Sequence, residues 1–181
     1  MAVRWQVFTE TGVAQRWKNA ISDDYALSAA IHAAGLTIAW APGALVPSRE
    51  PAGAARFFRW GRRQMAITRV SNPRLWRQAL AAHVVYCAGM AASAAALVEG
   101  HRDALWLLAA QLAPGMWKAA RRATLAAAAV PESRRYQWAH VLLAPPATWA
   151  WLALLAASAF GGTVEWRGRR YRLSRSRSAR S

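Results

Sequence analysis

A short α/β segment followed by an α-helical membrane region is the architecture this sequence predicts, and three observations carry that reading. Residues 1–50 mix polar and apolar positions as a soluble domain does, long apolar runs begin only after residue 78, and the arginines stand in blocks between and beyond those runs. The 181-residue chain is 55% hydrophobic with 11 tryptophans, yet its formal net charge is +16. A bilayer selects for this segregation, because hydrocarbon takes the apolar stretches and the cytoplasmic headgroup surface attracts the basic flanks. The charge alone also fits a phosphate-binding nucleic-acid protein. That alternative leaves the apolar runs without a purpose, so no nucleic acid is expected among the partners.

Within residues 1–50, Ser22-Asp23-Asp24-Tyr25 opens a helix: Ser22 is a good N-cap, and two carboxylates in the first turn suit the helix dipole. The helix runs through Ala26, Leu27, Ala30 and Ile31, and Gly35 supplies its stop. Leu36-Thr37-Ile38-Ala39-Trp40 reads as a short strand ended by Pro42-Gly43. One helix and one strand cannot bury a core alone, so this segment is expected to need partner strands from outside the chain.

Residues 51–78 are a different unit, an amphipathic helical region. Phe57, Phe58, Trp60, Met65 and Ile67 alternate with Arg56, Arg59, Arg62, Arg63 and Arg69, which suits a membrane interface. A helix packed on a soluble core with solvated arginines has the same pattern, but the position just before the first apolar run favours the interface. Residues 79–162 are read as transmembrane or re-entrant helices. Ala79 to Val98 has the ~20 residues a span needs, and its small residues from Ala92 to Ala96, near Gly89, would let a second helix approach closely. After a polar turn at Glu99 to Asp103, Ala104 to Trp117 is apolar but broken by Pro114-Gly115. Lys118, Arg121 and Arg122 then precede an alanine-rich stretch, and both a kinked span and a re-entrant helix remain open. The last apolar stretch is Trp138 to Gly162. The basic blocks before Ala79, from Lys118 to Arg135 and in residues 163–181 all prefer the cytoplasmic side. Three full crossings would put the basic, low-complexity, disordered tail outside, so one later segment is expected to be re-entrant. The localisation expected is a multi-pass cell-membrane protein with its active face cytoplasmic.

Two groups of residues point to chemistry. One is the acidic pair Asp23-Asp24, in a chain with only 8 acids; the other is Arg56-Phe57-Phe58-Arg59-Trp60. Taken together, Ser22-Asp23-Asp24-Tyr25 and the later Arg56-x-x-Arg59-Trp60 resemble the acidic motif and the (Gln/Arg)-x-x-Arg-Trp motif of membrane-bound family 2-type glycosyltransferases, in the ceramide-glucosyltransferase branch with its bacterial relatives acting on lipids such as hopanoids. Met1-Ala2-Val3-Arg4 and Thr163-Val164-Glu165-Trp166-Arg167-Gly168-Arg169-Arg170-Tyr171 also look like segments of that family. The resemblance implies that residues 1–50 are the C-terminal part of a GT-A-like domain. It also implies an inverting transfer of a sugar from a nucleotide donor to a lipid hydroxyl. Such a transfer needs a base to deprotonate the acceptor, a place that Asp24 fills by its match to the motif, with Asp23 beside it. Arg59 matches the motif arginine, suited to a diphosphate, Trp60 the tryptophan at the acceptor site, and Arg56 the Gln/Arg position. The partners implied are a nucleotide-sugar donor, a lipid acceptor and membrane lipids.

The family holds Mg2+ or Mn2+ through an aspartate-x-aspartate motif on an earlier strand, and that motif is missing here. His32, His83, His101 and His140 are scattered without ligand spacing, and Cys87 is the sole cysteine, so no cofactor or metal site is expected within this chain. Without the metal the diphosphate charge is not offset, so the expectation is an N-terminally truncated, inactive fragment of the enzyme. The alternative is a non-catalytic integral membrane partner or scaffold, in which Asp23 and Asp24 only start a helix.

Overall fold

The computed structural model describes residues 2–18, 20–44, 53–166 and 169–172. A small N-terminal unit holds α1 (Trp5–Glu10), α2 (Val13–Trp17) and α3 (Asp23–Ala33). A larger bundle follows, made of α4 (Ala54–Ser71), α5 (Pro73–Val98), α6 (Ala104–Ala129), α7 (Gln137–Leu142) and α8 (Ala144–Ala159). Beyond the bundle, β1 (Thr163–Trp166) pairs antiparallel with β2 (Arg169–Arg172), Thr163 opposite Arg172.

The N-terminal unit closes over Val13, Leu27, Ala30 and Ile31, with Val3, Val7 and Phe8 packed against them. Helix α3 has the ends its sequence specifies. Ser22 Oγ accepts from the Tyr25 amide at 3.5 Å. At the other end Gly35 takes φ +70°, with its amide bonded to the His32 carbonyl and that of Leu36 to the Ile31 carbonyl. That paired closure is the Schellman arrangement, which glycine permits.

The α/β expectation is overturned. Leu36 to Trp40 forms no strand; it is extended and open to solvent, with Ile38 45% and Trp40 74% exposed. The aliphatic and aromatic pattern there is real, but a strand exists only through hydrogen bonds to a neighbour, and no described segment pairs with it. Among the described residues, strands occur only in the hairpin at the far end of the chain, within the stretch expected as a disordered tail. Residues 173–181, the rest of that tail, lie outside the described residues.

In the bundle, α8 is central, packed on both α4 and α5, while α5 also packs on α6, and α6 on α7. Leu154, Leu155 and Ser158 of α8 are buried. A Cβ built on Gly61 of α4 would stand 2.6 Å from Leu154 Cδ1, so the missing side chain lets the two helices close. Trp76 Nε1 of α5 donates to Ser158 Oγ at 2.9 Å, and that hydroxyl donates to the Leu155 carbonyl at 2.7 Å. Arg69 of α4 reaches past the end of α8, donating to the carbonyls of Ala159 and Gly161. A cation there suits the negative end of the helix dipole.

Helix α5 starts at Pro73, ahead of the expected Ala79, because Asn72 Oδ1 caps the Leu75 amide at 3.1 Å and proline fits the first turn. It is long and apolar enough to cross a membrane. Where the sequence suggested a break, α6 runs unbroken through Pro114. The stretches Pro131–Leu142 and Ala144–Ala159 reach spanning length and hydropathy only as a pair, bent by 75°. These helices point, weakly and by length and composition alone, to membrane association.

Candidate functional site

Asp23 and Asp24 occupy the first turn of α3. Asp23 Oδ1 accepts from the Asp24 amide at 3.0 Å, and both residues are exposed. The adjacent Tyr25 is half-buried, and its hydroxyl donates to Thr68 Oγ1 of α4 at 2.9 Å. Thr68 in turn donates to the Gln64 carbonyl at 3.0 Å. The start of α3, with its two carboxylates, therefore meets the C-terminal half of the arginine-bearing helix through the Tyr25–Thr68 hydrogen bond.

Arg56, Arg59 and Trp60 lie in the N-terminal half of α4, all exposed. Trp60 is near Phe57, ring centroids 6.3 Å apart, and Phe57 meets Trp151 of α8 edge-on at 6.4 Å. Arg59 precedes Thr68 by about 13 Å along the helix axis and sits roughly half a turn around it, from the geometry of an α-helix. Among the described residues no hydrogen bond or ion pair joins Asp24 to Arg59. The structure thus brings Tyr25 to α4 and Phe57 to α8.

No three histidine, cysteine or acidic side chains gather in the way a metal ion requires among the described residues. Among the described residues Asp23 and Asp24 have no third ligand beside them, so by themselves they do not make a divalent-cation site.

Sequence reasoning missed two features. The first is the Tyr25–Thr68 bond, whose partners are 43 residues apart and carry no local signal. The second is a cavity of about 1200 Å³ between α5, α6, α7 and α8, lined by His83, Tyr86, Lys118, Arg122, His140 and Trp151 among others. A signal for it existed in the four-residue spacing of Lys118 and Arg122, which puts both on one face of α6. Trp151 belongs both to this cavity and to the contact with Phe57, which connects the cavity wall to the Arg56–Trp60 stretch.

No curated protein and no solved structure is significantly similar to the chain. The sequence model of glycosyl transferase family 21 matches residues 1–179. An acidic helix start docked on an arginine- and tryptophan-bearing helix that leads into an apolar bundle is thus set within a match covering nearly the whole sequence, and the chain belongs to glycosyltransferase family 21.

Proposed function

We propose that this chain forms the acceptor side of a membrane-associated glycosyltransferase that moves a sugar, with inversion, from a nucleotide donor to a lipid hydroxyl. A glycosyltransferase takes a nucleotide-sugar donor and an acceptor, and the features of this chain favour a lipid as that acceptor. The supporting observation is the joint between α3 and α4, where the Tyr25–Thr68 bond holds an acidic helix start beside a helix whose aromatic face continues into the apolar bundle through Phe57 and Trp151. In this reading Asp24 takes the acceptor proton as the hydroxyl attacks the anomeric carbon, and Asp23 stands beside it. Arg59, with Arg56, holds the departing diphosphate, and Trp60 covers the acceptor. These 181 residues contain no aspartate-x-aspartate sequence, so the nucleotide-binding part is supplied by residues other than these.

A general base contributes roughly 100- to 10,000-fold to a rate. Membranes holding this chain together with a family nucleotide-binding half are expected to transfer radiolabelled sugar to extracted lipid, and Asp24→Asn to lower the rate by at least about 100-fold. Transfer undiminished in the Asp24→Asn variant would remove Asp24 from the chemistry. Turnover by the purified chain alone would remove the shared-site reading. The exposed carboxylates, with no ion pair to Arg59 among the described residues, favour a second reading, a non-catalytic membrane partner. It predicts that Asp24→Asn and Arg59→Ala leave transfer by the associated enzyme unchanged.

A further inference from the structure

The cavity between α5, α6, α7 and α8 has a composition that selects its occupant. Its walls are mainly apolar, with Tyr86 and Trp151 among them, and its two fully charged side chains are Lys118 and Arg122, one turn apart on α6. No aspartate or glutamate lines it. Neither cation makes an ion pair with any described residue. Arg121, the third member of the basic block, stacks over Trp117 instead, 5.9 Å from the ring centre. Both side chains are exposed and line the space, so an anionic ligand entering it would meet them. Here the counter-charge is supplied by nothing in the lining. At about 1200 Å³ the space also exceeds the roughly 300–1,000 Å³ of pockets for drug-sized ligands. It has room for an acyl chain as well as a headgroup.

We infer that this cavity binds one anionic phospholipid, its phosphate held between Lys118 and Arg122 and its acyl chains laid along the wall formed by Tyr86, Leu143 and Trp151. Arginine grips phosphate through two parallel N–H donors, and lysine adds a point charge. The lipid is a resident ligand read by binding, so the inference stands or falls independently of sugar transfer.

The test uses the full chain, purified in detergent and exchanged into mixed micelles of phosphatidylglycerol and phosphatidylcholine with identical chains. Retained lipid is counted by native mass spectrometry. One phosphatidylglycerol per chain is expected in preference to phosphatidylcholine. The variant Lys118→Gln/Arg122→Gln is expected to lose that preference by about twenty-five-fold, taking roughly a factor of five for each cation near an anionic lipid. Arg102→Gln/Arg134→Gln, which removes two cations exposed like Lys118 and Arg122 but outside the lining, is expected to keep it. Ala147→Trp, which fills the cavity and leaves its charges in place, is expected to reduce retention of both lipids, and this arm is independent of whether the charge variant folds. Retention that is equal in wild type and Lys118→Gln/Arg122→Gln overturns the inference. So does an equal loss in Arg102→Gln/Arg134→Gln, which would reduce the effect to surface attraction, or displacement of the lipid by a soluble nucleoside diphosphate at similar concentration.

Discussion

Helices α5 and α6 are both 26 residues long and lie against each other, yet only α5 has the composition of a membrane span. The lipid-compatible surface of α5 is open: Val84, Val85 and Val98 are exposed, and no charged side chain interrupts Ala79 to Val98. In α6 a proline and three cations fall in the middle of the helix. Two of those cations turn into a cavity and the third onto a tryptophan ring. Length therefore does not separate the two helices; the direction of the charges does. The joint between them is close. A Cβ on Gly89 would come within 2.9 Å of Gln111 Nε2, and Tyr86 donates its hydroxyl to the Gln111 carbonyl at 2.6 Å.

The contrast can be broken most directly by exchanging the two characters. Replacing the cations of α6, as Lys118→Leu/Arg121→Leu/Arg122→Leu, removes roughly 3 kcal/mol of insertion cost at each position. The segment is then expected to insert into microsomes in a glycosylation-tag reporter, where the native α6 segment does not. The converse change, Val85→Arg in the middle of α5, adds about 3 kcal/mol of insertion cost. It should abolish insertion of that segment in the same reporter, and full insertion would show that α5 is not a span. Smaller effects sharpen the joint itself. Gly89→Val displaces the flexible end of Gln111 and is expected to cost about 1 kcal/mol, read as a lowered melting temperature in detergent. Tyr86→Phe removes one hydrogen bond while keeping the ring, worth about 0.5–1.5 kcal/mol by the same measurement. A melting temperature unchanged by both substitutions would mean that α5 and α6 are not packed as described.

What could be read from the sequence followed from local chemistry. Ser22, the two aspartates and Gly35 specify both ends of α3 within the sequence they cap, and the alternation of arginine and aromatic residues marks α4. The apolar run from Ala79 marks α5, though its true start depends on the Asn72-Pro73 cap, which hydropathy does not register. The failures mostly share a cause, which is that they depend on distant partners. The pattern of Leu36 to Trp40 favours a strand, but pairing needs a neighbour. Pro114-Gly115 suggests a break, yet α6 continues unbroken, although Pro114 leaves the Ala110 carbonyl without its usual amide. At the candidate site, the residue types were legible and their distances were not. Nothing in the order Asp24, Arg59, Trp60 reveals that Tyr25 docks beyond the arginine, on Thr68.

The grip of Arg69 on the last carbonyls of α8 has a geometric corollary. Arg69 lies in the last turn of α4, and α5 leaves from that same corner, with Trp76 bonded to Ser158 near the end of α8. The departure of the first apolar helix and the arrival of the last therefore share one rim of the bundle, and a guanidinium at that rim belongs at the level of the headgroups rather than among the acyl chains. The end of α8, the start of α5 and the Tyr25–Thr68 joint of α3 gather at one level of the molecule.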